Sequence, residues 1–435
     1  HAIGLANNLL AAWVDTSILM GNPQKIDPAT VTWRRCIDVN DRTLRQVISG
    51  LGGSKNGVPR ETGFDITSAS EVMAILGLSM DAKDLRKRLG DIVVATDTDG
   101  QPVTAEALGA AGAMAVVLKD AIHPTFMQTL EGTGCFVHTG PFANIAHGNS
   151  SIVADKIALK LCDYVVTESG FGADMGAEKF FNIKCRVSGL KPDAAVVVAT
   201  IRALKVHSGR FKISPGKPLP EEMLKENIPA VEEGIVNLKR HIENVGKFGV
   251  PVIVALNRFP TDSDGEVEVV LNMARSFGAF DAVISDVHAR GGEGGAELAE
   301  AVVRACEEVP SKFSVLYPDD MPVKEKISTI CKEIYRADGV KLLPAARKSI
   351  RKFEKMGLGH LPICMAKTQY SFSDDPKKIG APDNFQMTVR DVRLSAGAGF
   401  LYALTGDIMT MPGLGSKPAL LNIDLDEQGL PAGLF

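Results

Sequence analysis

The chain has 435 residues, a formal net charge of −4, 45% hydrophobic residues and 23% charged residues. This length predicts two to three domains, and the composition is that of a globular protein rather than a disordered one. A mildly acidic chain has no global basic field, which argues against a nucleic-acid partner.

The seven cysteines are scattered, with no C-x-x-C pair and no metal-ligand spacing. An odd, dispersed set indicates reduced thiols in a cytoplasmic protein without a metal site, and we expect Cys135, Cys162 and Cys364 to pack in the core. No apolar run reaches the roughly 18–20 residues of a transmembrane helix, and no signal peptide is recognisable, so no membrane partner is expected. Because the chain starts at His1 inside an apolar helical pattern, we expect that N-terminal material is absent.

The elements follow in chain order. Residues 1–90 have a mostly helical pattern. From residue 92 the short apolar runs IVVAT, FVHT, YVVTE, AAVVVAT and VPVIVAL alternate with helical patterns. These runs lack period-2 alternation, which predicts strands covered on both faces in a mostly parallel sheet. A loop over 207–222 precedes a long amphipathic helix over about 221–247, and the region from 336 is predicted to hold strand pairs and long loops.

Nearly every candidate chemical group lies in four turns that follow predicted strands. The turns belong to CFVHTGPFANIAHG (135–148), YVVTESGFGADMGAEKF (164–180), VPVIVALNRFPTD (250–262) and AVISDVHARGGEGG (282–295). Ligands of parallel α/β sheets bind beyond the carboxyl ends of the strands, so the four turns predict a substrate cleft. The printed sequence contains no G-x-x-x-x-G-K-[ST] phosphate loop.

The first turn crowds polar side chains about one helix start. Gly140 turns the chain, and Asn144, His147 and Ser150 follow it. Exposed backbone amides there can bind a phosphate or carboxylate, and a histidine can titrate near neutral pH. The alternative is that Asn144 and Ser150 cap the helix while His147 is a hydrogen-bonded structural histidine.

Two aromatic residues lie on turns rather than inside elements. Phe171 stands between two glycines and Phe259 follows an apolar strand, so both can stack on a planar ligand, although Phe259 can equally cover the end of its strand. The GGEGG run after His288 can meet an anion or form a plain turn.

The acidic residues of the second turn also leave two interpretations open. Glu168, Asp174 and Glu178 can bind a cation or position a base, or they can pair with Lys179 or Lys184.

Long strings along the whole chain carry a family resemblance. They are VTWRR (31–35), NGVPRETGFDI (56–66), QTLEGT (128–133), GPFANIAHG (140–148), GFGADMGAEKFFNIKCR (170–186), FGVPVIVALN (248–257), MAKTQYSFSDD (365–375) and MTMPGL (409–414). With these strings the chain resembles the formate–tetrahydrofolate ligases, also called 10-formyltetrahydrofolate synthetases.

The resemblance implies that ATP phosphorylates formate to formyl phosphate, which N10 of tetrahydrofolate attacks to give 10-formyltetrahydrofolate. It implies ATP with Mg²⁺, a monovalent cation (K⁺ or NH₄⁺) and a homotetramer. The implied fold class is α/β, with a mostly parallel sheet of P-loop-NTPase-like type flanked by helices and two smaller α/β domains. The first part of the nucleotide-binding domain would be missing, and the divisions are 1–235, 236–335 and 336–435.

The resemblance also implies site residues. Phe171, Phe259 and the position of His288 would hold the flat rings of the substrates, although the family has Trp in a V-W-A-K-G-G pattern where this chain has His288. Gly415 stands where the family has proline. Candidates for the base that accepts the N10 proton are His138, His147 and Asp174.

Members of the family carry their glycine-rich phosphate loop upstream of the segment that corresponds to His1. We therefore expect this chain to bind ATP poorly and to be inactive in isolation. The alternative is a non-catalytic folate-binding or scaffold subunit.

Overall fold

The computed structural model describes residues 1–214, 217–406 and 408–434. The chain divides into two compact units: a first unit of His1–Met73, Leu89–Ala121 and Met409–Phe435, and a second unit of Ala74–Arg88 and Ile122–Ile408. Both units combine helices with short strands, which confirms an α/β protein. The divisions at residues 235 and 335 stay predictions.

Helices connect the successive strands between residues 137 and 363. The helices are α1 (Ala2–Leu19), α2 (Glu71–Leu78), α3 (Ala82–Asp91), α4 (Ala111–Val117), α5 (Ile152–Leu161), α6 (Gly176–Lys179), α7 (Arg186–Ser188), α8 (Ile201–His207), α9 (Ile228–Gly234), α10 (Val236–Gly246), α11 (Asp264–Ser276), α12 (Val287–Arg290), α13 (Ala296–Glu308), α14 (Val323–Glu333) and α15 (Pro344–Lys355). A π-helical segment, Phe180–Cys185, joins α6 to α7.

The strands are short and belong to several small sheets. They are β1 (Arg35–Ile37), β2 (Val47–Ser49), β3 (Arg60–Thr62), β4 (Phe64–Ile66), β5 (Val93–Thr96), β6 (Pro102–Thr104), β7 (Thr125–Gln128), β8 (Gly134–Val137), β9 (Ala195–Ala199), β10 (Val252–Asn257), β11 (Asp281–Ser285), β12 (Gly339–Leu342), β13 (Ile363–Ala366), β14 (Gln386–Val389), β15 (Asp391–Ser395), β16 (Phe400–Leu404), β17 (Asp424–Leu425) and β18 (Pro431–Ala432).

In the first unit, α1 buries one face of its apolar sequence. Ile3, Leu10 and Val14 lie on that face, at helical spacing. The Trp13 indole N–H donates to the Leu108 carbonyl at 2.7 Å. Among the described residues α1 is also the one helix whose length and composition would allow it to cross a membrane, although a core helix of a soluble protein meets the same criterion.

The second unit contains the parallel sheet that positions two of the four turns. Its strand order is β11-β10-β9, with Val254 paired to Val197 and to Ala282. One face of the central strand packs into the large core, and the other face meets α13 through Ile253 and Ala301. The runs AAVVVAT and VPVIVAL are therefore parallel strands, as predicted, and with β11 their carboxyl ends share one edge. The run IVVAT forms β5, which pairs antiparallel with β6 instead.

Other predictions from apolar runs were wrong. YVVTE forms no strand, and Val166 within it is 87% exposed. FVHT overlaps β8, which pairs antiparallel with β7 in an exposed hairpin rather than in the parallel sheet. A short apolar run forms a buried strand only where neighbouring strands pair with it and layers cover it, and these two runs lack that cover.

Two further predictions need correction. The long helix expected over 221–247 is a 3₁₀ turn followed by two helices, α9 and α10, which meet at Ile235. Cys135 and Cys162 are exposed, and Cys364 alone of the three is in the core. The strand pairs predicted after residue 336 are confirmed: β12 pairs with β14, and β16 pairs with β13 and β15.

Candidate functional site

The first turn links β8 to α5 through a set of short hydrogen bonds. The His138 Nδ1 atom lies 2.6 Å from the Ser151 hydroxyl oxygen, which also accepts from the Ala154 N–H and caps α5. The Ser150 hydroxyl donates to the His138 carbonyl at 3.1 Å. The cap of this helix is therefore Ser151, rather than the Asn144 or Ser150 of the alternative interpretation.

The same turn buries polar atoms that have no hydrogen-bond partner among the described residues. They are the Thr139 hydroxyl, the Oδ1 atoms of Asn144 and Asn149, and both ring nitrogens of His147. A Cβ placed on Gly77 of α2 would lie 2.7 Å from His147 Nε2 and 3.4 Å from the Thr139 hydroxyl, so these two side chains face the same helix position. Unpaired buried polar atoms cost free energy, and a polar ligand could pair with them.

His147 is fully buried and uncharged at neutral pH. Burial lowers its pKa to about 3, and the positive charges of Lys184 and Arg88 act in the same direction. The alternative of a hydrogen-bonded structural histidine does not fit its unpaired ring nitrogens. Gly140 is exposed, with open space around the position of a Cβ.

The second turn fits directly against the first. The Gly170 N–H donates to the Gly148 carbonyl at 3.0 Å, and the Asn149 amide donates to the Ser169 hydroxyl at 2.9 Å. Lys179 is buried and donates to the Ala143 carbonyl. The first two of the four turns therefore form one structural piece.

Phe171 lies on the surface of this piece. Its φ is +61° and its side chain is 55% exposed. A positive φ is rare for a bulky residue and must be held by its surroundings. The geometry leaves the ring open to a planar ligand.

Asp174, three residues after Phe171, belongs to a buried ion pair. The Lys367 ammonium is 2.9 Å from the Asp174 carboxylate and also donates to the carbonyls of Thr368 and Ser371. Burial lowers the pKa of Lys367, and Asp174 opposes that shift. The sequence analysis offered Lys179 or Lys184 as partners of Asp174 and missed Lys367. Lys367 directly follows the buried strand β13, and a lysine at the end of an apolar strand could have indicated a buried ion pair.

The other two acidic residues of the second turn, Glu168 and Glu178, are not part of this ion pair. Lys184 pairs with Asp155 at 2.6 Å, and Glu168 is exposed. Glu178 is buried and accepts from the Asn182 amide at 2.7 Å, while its second oxygen has no partner among the described residues. Burial raises the pKa of Glu178 to about 7, against the lowering effect of the bond from Asn182.

The third turn follows β10 and carries Phe259. This ring is half-buried, and the Arg202 guanidinium lies 3.9 Å from its centroid. The Phe259 N–H donates to the Asp262 carboxylate at 2.8 Å. A cation–π contact occupies the ring on the Arg202 side, so both interpretations of Phe259, ligand stacking and cover for the strand end, remain open.

The fourth turn follows the neighbouring strand β11 and carries His288 on the short helix α12. His288 is exposed. The Gly292 N–H, in the glycine run after it, donates to the Glu131 carboxylate at 2.8 Å. Because Asn257 and Ser285 are paired at the ends of β10 and β11, Phe259 and His288 follow adjacent strands at one edge of the sheet.

Comparison with known proteins identifies the family. The family model described as formate–tetrahydrofolate ligase matches residues 1–435. The chain belongs to the formate–tetrahydrofolate ligase family.

Curated relatives agree with this assignment. The chain is 58% identical over 435 residues to the formate–tetrahydrofolate ligase of Desulforamulus reducens, covering all of this chain and 76% of the relative. It is 54% identical over 434 residues to that of Saccharopolyspora erythraea, with 100% and 76% covered, and 56% identical over 434 residues to that of Roseiflexus sp., with 100% and 77% covered. The protein is thus a ligase by family, and the family activity is ATP-dependent ligation of formate to tetrahydrofolate.

Replacing Glu178 by Gln should change how the stability of this ligase depends on pH. The folded-state pKa of about 7 is above the ordinary value of 4.5. The stability that the protonated carboxyl contributes is therefore fully present below the unfolded pKa and is lost as the pH rises through about 7. Glu178→Gln keeps the acceptor for Asn182 and cannot ionise, so between about pH 5 and pH 8 the variant should gain about 3 kcal/mol of unfolding free energy relative to the wild type.

Urea unfolding at several pH values measures this difference. Glu168→Gln, a change at an exposed carboxylate, is the control and should follow the wild type at every pH. Parallel pH profiles of Glu178→Gln and the wild type would contradict the account.

Proposed function

We propose that the second unit binds tetrahydrofolate with the rings of Phe171, Phe259 and His288. The exposed ring of Phe171, held at positive φ between Gly170 and Gly172, is the observation that carries the proposal. A pterin is flat and polarizable, and aromatic faces bind such rings by offset stacking. His288 and Phe259 add ring faces from adjacent strand ends.

We assign the anionic part of the reaction to the first turn. Formate first attacks the γ-phosphorus of ATP, giving formyl phosphate and ADP; N10 of tetrahydrofolate then attacks the formyl carbon, phosphate leaves, and N10 loses a proton. The neutral His147 ring has one N–H without a partner among the described residues, and this N–H can donate to a formyl or phosphoryl oxygen. The unpaired Asn144 Oδ1 atom is an acceptor and can take a hydrogen bond from an O–H or N–H of the ligand. Fixed neutral donors stabilise the charge that develops on such oxygens.

Among the three candidate bases we favour His138. Asp174 is already paired with Lys367. Burial keeps His147 from accepting a proton near neutral pH, since it lowers the pKa to about 3. His138 is partly exposed, and Ser151 orients its Nδ1 atom, so its ring can take a proton and pass it on.

The finer family features belong to the same proposal. They are a nucleotide-binding domain of P-loop-NTPase-like type, Mg²⁺ bound with the nucleotide, a monovalent cation, a homotetramer and a cytoplasmic location. A non-catalytic folate-binding or scaffold role stays the alternative to catalysis by this chain.

Phe171→Ala should weaken tetrahydrofolate binding by about tenfold, because loss of one ring stack costs roughly 1–1.5 kcal/mol. Isothermal titration with tetrahydrofolate measures the dissociation constant. Tyr164→Ala, at an aromatic residue that is 45% exposed near the start of the same connection, is the matched control and should bind like the wild type. Equal affinity of Phe171→Ala and the wild type would remove Phe171 from the site.

Leaving out any one of ATP, formate and tetrahydrofolate should abolish formation of 10-formyltetrahydrofolate, because the proposed reaction passes through formyl phosphate. An assay of product formation with each substrate omitted in turn measures this. Product formed without ATP would refute the formyl phosphate step. Folate binding with no product even when all three substrates are present would favour the non-catalytic alternative.

A further inference from the structure

The hairpin β7–β8 has a defined shape although both of its strands are exposed. The rings of Phe126 and Phe136 lie 5.1 Å apart across it. Its turn is closed by the Thr129 N–H, which donates to the Thr133 carbonyl at 2.9 Å. Glu131 lies in this turn, so the hairpin holds one carboxylate at its tip.

The tip meets the fourth turn, 161 residues away in the chain. The Glu131 carboxylate accepts from the Gly292 N–H at 2.8 Å, and a Cβ on Gly291 would lie 2.6 Å from the same oxygen. A larger residue at Gly291 would therefore require the Glu131 carboxylate to shift. A hydrogen bond to an ionised acceptor is stronger than one between neutral groups.

The fourth turn is glycine-rich, so contacts from outside the turn help to order it. Glycine occupies four of the five positions of Gly291–Gly295, and glycine loses more conformational freedom on ordering than other residues do. The Asp286 N–H closes the loop by donating to the Gly294 carbonyl at 2.9 Å. His288 lies between these two residues, so its position depends on how well the loop is ordered.

We propose that Glu131 is a positioning residue for tetrahydrofolate: its carboxylate fixes the loop that presents the His288 ring. This inference rests on the proposed folate role of His288. The hairpin buries little surface, so its contribution to overall stability is small, and the contact with Gly292 ties its turn to a distant loop. Glu131 acts through the loop and does not need to touch the substrate.

The experiment compares Glu131→Ala, Glu131→Gln and Leu130→Ala in the full chain. Leu130 is the neighbouring tip residue and is fully exposed, so Leu130→Ala is the matched control. Hydrogen exchange of the peptide that spans 286–295 reports the order of the loop, isothermal titration with tetrahydrofolate reports affinity, and thermal unfolding reports stability.

We expect Glu131→Ala to speed exchange in the loop and to weaken tetrahydrofolate binding, each by about tenfold, as for loss of one charge-assisted hydrogen bond. The melting temperature should stay unchanged. Glu131→Gln keeps a neutral acceptor and should lie between Glu131→Ala and the wild type, while Leu130→Ala should match the wild type.

If the hydrogen exchange of the loop is unchanged in Glu131→Ala, the claim that the Glu131 contact orders the loop is wrong. Faster exchange with unchanged affinity would overturn the positioning role. His288→Ala separates this proposal from the one it rests on: if that variant binds tetrahydrofolate as well as the wild type, the folate role of His288 fails and the positioning role fails with it, whatever the exchange rates of the Glu131 variants are.

Discussion

The ion pair between Asp174 and Lys367 is the interaction on which the proposed site depends. Both side chains are buried, so the protein must offset the cost of removing two charges from water. Two backbone carbonyls beside the ammonium help to do so. The pair ties the turn that carries Phe171 to the end of β13. We infer that this attachment steadies Phe171, which lies three residues before Asp174 and has a φ of +61°.

Close backbone approaches add a second constraint. A Cβ on Gly176 would lie 2.1 Å from the Gly170 carbonyl oxygen, and one on Gly148 would lie 2.2 Å from the Ala143 Cβ. Neither position can hold a larger residue without moving the chain. The glycines and the ion pair together support the first two turns, whereas the fourth turn is closed by its own hydrogen bond from Asp286 to Gly294 and receives the Glu131 hydrogen bond from a distant hairpin.

Local patterns predicted the parallel strands and the family. The runs in β9, β10 and β11 are long, apolar and flanked by helical patterns, so their sequence determines their state. YVVTE is also a short apolar run, but no neighbouring strand pairs with it, and the local sequence does not reveal this. Cys135 was misplaced for the same reason, because burial depends on layers contributed by other parts of the chain.

Sequence patterns selected the candidate residues of the proposed site but did not show which distant residues contact them. The position of Phe171 between two glycines marked it as a loop aromatic, and the structure places it at the surface. Partners distant in sequence, such as Lys367 for Asp174 and Glu131 for Gly292, could not be deduced because charge and turn patterns constrain only near neighbours. The neutral state of His147 likewise follows from its burial, which the local sequence does not reveal.

The affinity of Asp174→Asn for tetrahydrofolate is the measurement that tests the account most directly. The substitution keeps the size of the side chain and removes the charge that holds Lys367. The account predicts that the variant still folds, shown by its circular dichroism, and binds tetrahydrofolate at least about tenfold more weakly, since loss of a buried charge partner costs about 3 kcal/mol or more locally. A folded variant with the affinity of the wild type would contradict the claim that this ion pair holds Phe171 in place for the substrate.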